Sequence, residues 1–143
     1  MASLTSDDYT IAWICALPLE AAAASVMLDK IHHPLRPSPT GPNAYVLGEL
    51  NGHLIAIACL PTGIYGTVSA ATVMADMRST FRRIQFGLLV GIGGGVPSTT
   101  NDIRLGDVVV SKPTVQGGKF EQTSTLNHPP QTLLTYMAFL QAA

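Results

Sequence analysis

Charge is scarce in this 143-residue chain: 8 basic and 9 acidic residues, 12% of the total, leave a net charge of -1. Neither sign forms a long run, which excludes a polyanion-binding stripe and sets nucleic acid aside as a partner. Cysteine is nearly absent. Cys15 and Cys59 lie inside apolar, strand-like runs at a spacing that fits no metal-ligand pattern, so core packing suits both better than catalysis. Reduced, buried thiols and a cytoplasmic location follow, with no metal or organic cofactor implied. No apolar run reaches membrane-spanning length without glycine or proline. The N-terminal run "IAWICALPLEAAAASVML" contains Pro18 and Glu20 and follows "SDDYT", acidic where a secretory signal is basic, so neither a signal peptide nor a membrane partner is expected.

Apolar side chains are what the chain does have. At 47% hydrophobic it can fill a core, and its length fits a single domain over residues 1–143. "YTIAWICAL" predicts a buried strand, and Pro18 then suits the first turn of a helix, where its missing N–H costs nothing. Leu19, Ala22, Ala23, Val26 and Met27 recur at helical spacing, with Asp29 and Lys30 closing the pattern. The proline-rich "HHPLRPSPTGPN" reads as a loop, with His32 and His33 solvated. "AYVLGEL" and "HLIAIACL", joined by Asn51-Gly52, form the clearest hairpin signal, since Asn-Gly accepts the positive φ of a type I′ turn.

"TVSAATVMADMRSTF" predicts a second helix, with Arg78, Arg82 and Arg83 at its end, where cations complement the helix dipole. "IQFGLLV" is continuously apolar, the mark of a strand covered on both faces. "IRLGDVVVS" predicts another strand and "QTLLTYMAFLQAA" a last helix. The order β-α-β-β-α-β-β-α implies an α/β fold, three layers deep, with a mixed central sheet flanked by helices.

Chemistry would concentrate in the loops that follow strands, because ligands of open α/β sheets bind beyond the strand carboxyl ends. The glycines of "VGIGGGVPS" fail the dinucleotide fingerprint, since Val96 and Pro97 stand where a third glycine and a helix should be. No Lys-Ser or Lys-Thr follows them either, so a Walker-type cradle is absent. A backbone without Cβ atoms remains, able to admit a flat ligand or simply to make a tight turn. Glu20, in the first turn of its helix, either complements the helix N-terminus or sits where a hydrolase takes a proton from water. Tyr65, flanked by glycines, stacks on a base or caps the core. Asp107 suits a structural role, accepting loop N–H groups at a strand start, and Asp102 and Arg104 suit a surface pair. His53 and His128 have no sequence partner that argues for catalysis.

Four segments in order, "WICALPLEAAAASVMLD", "ACLPTGIYGTVSAATV", "FGLLVGIGGGVPS" and "DIRLGDVVVSKP", resemble the N-terminal half of the nucleoside phosphorylase/nucleosidase superfamily. The likeness is nearest to fungal, immune-receptor-like proteins in which such a domain heads a multidomain chain. The resemblance implies a nucleoside phosphorylase-like fold, C-terminally truncated, that cleaves the N-glycosidic bond of purine nucleosides or nucleotides, adenine compounds first. It makes Glu20 the catalytic carboxylate. It places Gly91, Ile92, Gly93, Gly94 and Gly95 against the ribose and base, Thr62, Gly63 and Ile64 beside the sugar, and Ala16 and Leu17 at the pocket wall.

The resemblance also bears on the acceptor. Family phosphorylases of the bacterial hexameric kind carry phosphate-holding arginines at the positions matching Glu20 and Leu89, whereas family nucleosidases place a glutamate at the former. An acid and an apolar residue here disfavour phosphate and favour water, with Arg78, Arg82 or Arg104 as other sources of a phosphate contact. No segment after Ser111 matches the family's ribose-gripping Met-Glu pair or its proton-donating aspartate, and the step from Pro113 to Thr114 looks like a deletion. The alternative expectation is therefore a degenerate module that binds a nucleoside or a protein without turnover. Its incomplete sheet would invite association with another chain, a second copy included.

Overall fold

The computed structural model describes residues 4–35, 42–99 and 102–109. The chain divides into two units, Met1–Ile92 and Gly93–Ala143. In the first, chain order is β1 (Ile11–Cys15), α1 (Pro18–Val26), β2 (Lys30–Ile31), β3 (Tyr45–Leu50), β4 (His53–Cys59), α2 (Thr67–Thr80) and β5 (Phe86–Leu89). The five strands form one mixed sheet in the order β2-β3-β4-β1-β5. β1 runs parallel to β4 and β5, and β3 runs antiparallel to β2 and β4.

Strand side chains alternate between faces, and each face takes one helix. Ala12 and Ile14 of β1 and Ala56 and Ala58 of β4 pack with Val73 and Met77 of α2. Cys15, Ile55 and Ile57 on the other face pack with Ala24 of α1. The fold is therefore mixed α/β, with a five-stranded sheet between two helices. Phe81, next after α2, meets Tyr9 and Tyr45 edge-on, at ring-centroid distances of 5.6 and 5.0 Å. His32 is not a solvated loop residue: it is half-buried, with its Nδ1 2.9 Å from the Tyr9 hydroxyl.

The hairpin turn is as the sequence predicts, with Asn51 at φ 48° and Gly52 at φ 78°. The short β2 has no sequence signal, because two residues carry no periodicity. It crosses so near Gly48 that a Cβ there would lie 2.5 Å from the Lys30 carbonyl oxygen. The obstacle is backbone, so Gly48→Ala should destabilise the protein by about 1–3 kcal/mol, read as a lower denaturant midpoint.

Helical spacing in α1 is right, but its apolar stripe faces the other way. Leu19, Val26 and Met27 are 69%, 86% and 58% exposed, and Ala22 and Ala23 are exposed beside them, while Ala21, Ala24 and Leu28 pack inward. A helix apolar on every side gives no phase to read; Glu20 supplies it, because the turn that points its carboxylate at the sheet carries Ala24 and Leu28 with it. β5 is covered only in part: Phe86 and Leu88 are half-buried and Gly87 lies against Met74, but Leu89 is 67% exposed, and among the described residues β5 ends the sheet.

In the second unit, the described part of the expected strand at "IRLGDVVVS", residues 103–109, forms no strand. It turns at Leu105-Gly106, with Gly106 at φ 99°, and Val108 and Val109 stay exposed with no ladder partner among the described residues. Asp107 does accept a loop N–H, from Arg104 at 2.8 Å, so its carboxylate closes a turn instead of opening a strand. Arg104 also pairs with Asp102 on the surface, which adds little. The expected helix over 131–143 and the His128 and Pro113-Thr114 positions lie outside the described residues.

Candidate functional site

β4, β1 and β5 lie side by side and parallel, so their carboxyl ends share one edge of the sheet. From that edge β1 leads to α1 on one face and β4 to α2 on the other. Adjacent strands whose chains part to opposite faces leave a crevice between them, the usual ligand position in an open α/β sheet. Three loops border it: Ala16-Leu17, the segment from Leu60 to Gly66, and Val90 to Ile92.

Glu20 ties two of these loops together. It is the third residue of α1, after Pro18 at the first position, and its Oε2 accepts the Ala16 and Leu17 amides, both at 2.9 Å. This is the backward half of a capping box, which satisfies amides that the helix start leaves over. Its Oε1 accepts the Ile92 amide at 2.8 Å, across 72 residues of sequence. The amides of Ile92, Leu17 and Ala16 all favour the ionised form, in that order, and hold the carboxyl below its ordinary range. A carboxylate offers about four lone-pair positions, so three amides leave one, on Oε1, for a further donor.

The same geometry explains Gly91, where a Cβ would stand 2.6 Å from Glu20 Oε1. Thr62, Gly63 and Ile64 form an exposed tight turn in which the Ile64 amide donates to the Pro61 carbonyl at 3.0 Å and Gly63 takes φ 83°. Ala16 is half-buried; Leu17, Ile64 and Ile92 are apolar and exposed. Tyr65 is 54% exposed, which removes the core-capping reading for it. Gly93, Gly94 and Gly95 begin the second unit in exposed backbone without regular structure. Space around Gly93 and Gly94 is open, whereas a Cβ at Gly95 would press on Ile103.

No lysine or arginine stands among the described residues of the three loops. Arg78 lies in the last turn of α2, eleven residues from its start and thus about 16 Å down the helix axis. Arg83 acts on Asp8, ahead of β1, at the opposite edge of the sheet. Neither arginine reaches the crevice, and Arg82 stays with them between α2 and β5.

Both cysteines are free. Burial, then Cys59 and Glu20 nearby, push the Cys15 thiol up to about 11. Burial raises Cys59 as well, though it is only half-buried. At pH 8 a thiol reagent should therefore label Cys59 first and Cys15 only on unfolding, a pattern that peptide mapping of the alkylated protein checks. Among the described residues no group of three or more His, Cys, Asp and Glu is placed to hold a metal, and no helix is long and apolar enough to cross a membrane.

No protein-family profile matches the chain. It is 47% identical over 154 residues to a protein of Hyaloscypha variabilis described as a nucleotide-binding leucine-rich repeat (NLR)-like protein. The match takes in 98% of this chain and 15% of the relative, so the chain spans a small part of the relative's length. The matched 154 positions exceed the 143 residues present, so the relative carries residues that this chain lacks within the matched stretch.

Proposed function

We propose that the crevice beyond β4, β1 and β5 binds a purine nucleoside or nucleotide, adenine compounds first, and cleaves its N-glycosidic bond with water as acceptor. The reading places the chain with the nucleoside phosphorylase/nucleosidase superfamily, as the four sequence segments suggest, in C-terminally truncated form. The observation that carries it is the Glu20 carboxylate, ionised and held at the edge of the crevice with one acceptor position unused. A carboxyl held below its ordinary range is a weaker base than a free one, which suits a late proton transfer. Cleavage through an oxocarbenium-like sugar needs a water aimed at C1′ first; its proton becomes acidic only as the C–O bond forms, and then passes to Glu20. The base departs with the electrons of the C–N bond and takes a proton from solvent, while Glu20 returns the water's proton to solvent, so water is the only co-reactant consumed. The cation-free loops support water over phosphate.

Incubating the chain with adenosine, methylthioadenosine and ATP, with and without phosphate, tests this: free base should appear, and appear without phosphate. Base released only with phosphate would make the reaction phosphorolysis.

A second reading has its own support. The outward apolar stripe of α1 and the exposed Leu89 of β5 are surfaces that a protein partner would bury, and the chain matches 15% of a much longer relative. No base release, with a melting temperature raised by nucleoside, would make the chain a binding module without turnover.

A further inference from the structure

We propose that Gly91 is a positioning residue: the bare α-carbon at 91 is the space that seats the Glu20 carboxylate, and a side chain there would unseat it. The inference deepens the role given to Glu20 above, and its catalytic consequence rests on that reading; its first readout does not.

Gly91 has no conformational need to be glycine, since it is not among the positive-φ residues. What it lacks is therefore decisive. A Cβ built on it would lie 2.6 Å from Oε1, 3.0 Å from Cδ and 3.1 Å from Oε2 of Glu20, and these are its three nearest atoms. The first is too close for any contact, the other two are tighter than ordinary contacts, and all belong to one side chain. The obstacle is the free end of a flexible glutamate and not a strand or helix backbone, so a methyl at 91 is accommodated by swinging the carboxylate aside. The fold has no reason to fail.

The bond most exposed to that swing is the one from the Ile92 amide, made by Oε1 beside the intruding methyl. Ala16 and Leu17 are local partners within four residues of Glu20, and they tether Oε2 to its own helix start. Ile92 is the partner that fixes the carboxylate relative to the β5 exit. Losing it turns a fixed acceptor into a side chain held at one end. The free lone pair on Oε1 then no longer points to one place, and a water bound there is no longer aimed.

The test uses the full chain and variants Gly91→Ala and Glu20→Gln. A carbon-13 titration of the Glu20 carboxyl should give a higher midpoint in Gly91→Ala than in the unaltered protein, and the Ile92 amide shift should titrate with it only in the latter. Glu20→Gln should erase the acid titration of the Ile92 amide. An amide that titrates regardless has another partner, and overturns the proposal even if Gly91→Ala does not fold. An unchanged midpoint in folded Gly91→Ala overturns it as well. Where base release is measurable, kcat should fall on the order of 100-fold in Gly91→Ala with KM nearly unchanged. Adding Gly91→Ala to Glu20→Gln should then lower it no further. A shifted midpoint with unchanged kcat supports the seat at Gly91 and counts against the catalytic role of Glu20, so the two failures are told apart.

Discussion

Replacing Glu20 by Gln should abolish base release, lowering it by about 10²–10⁴-fold, the range for loss of a positioned proton acceptor. The substitution keeps the shape and removes the charge. A carboxamide has one acceptor oxygen and turns its NH₂ toward amides that also donate, so the arrangement around Ala16, Leu17 and Ile92 cannot be kept. The fold should survive. Loss of a helix-start acceptor costs about 1 kcal/mol, which leaves the circular dichroism of the sheet and helices in place. Activity retained by a folded Glu20→Gln protein would sink the proposed role. The stability difference between the two proteins also has a pH signature. Because the folded carboxyl is held below its ordinary range, its contribution is complete above the ordinary glutamate pKa and disappears as pH falls through the lowered value. Unfolding midpoints of the two proteins should thus differ near neutrality and converge in acid.

The largest stability loss is expected at Phe81. Its ring is 1% exposed, and its own amide donates to the Met77 carbonyl at 2.7 Å to end α2. The ring meets Tyr9, ahead of β1, and Tyr45, at the start of β3, with interplanar angles of 68° and 84°. Such edge-to-face pairs add to the apolar area buried. Phe81→Ala removes the ring from between Tyr9 and Tyr45, and about 3–5 kcal/mol should go with it. Urea unfolding would show a lower midpoint at unchanged slope. A loss under about 1 kcal/mol would mean that the surrounding side chains collapse into the space.

Most elements of the first unit were legible because each carries its own local signal. Pro18 marks the start of α1, Asn51-Gly52 fixes the hairpin, and the apolar runs mark β1, β4 and β5. What could not be read is what depends on neighbours. The inward face of α1 is set by where Glu20 must reach, and the coverage of β5 by its place at the end of the sheet. At "IRLGDVVVS" a strand composition met a turn at Gly106, and composition alone does not supply a ladder partner. The site was half legible. Glu20 and the glycines stood out by residue type, but their connection spans 72 positions and no spacing rule links a helix-start glutamate to one particular glycine. Assigning the glycines to a ligand as a group passed over this: Gly91 accommodates Glu20 and Gly95 accommodates Ile103, so the unfilled backbone is that of Gly93 and Gly94.

The two flanks of the sheet are unlike. One is the two-residue β2, bearing Lys30 opposite Glu49; the other is β5, four residues without a charge. A fibril built by lateral stacking needs adhesive margins on both sides of every unit, and β2 is too short and too polar to serve. Among the described residues, strand addition to this sheet is accordingly one-sided. Two copies of this five-stranded sheet meeting through β5 would leave only β2 margins facing outward, so for these strands association by that route stops at a pair.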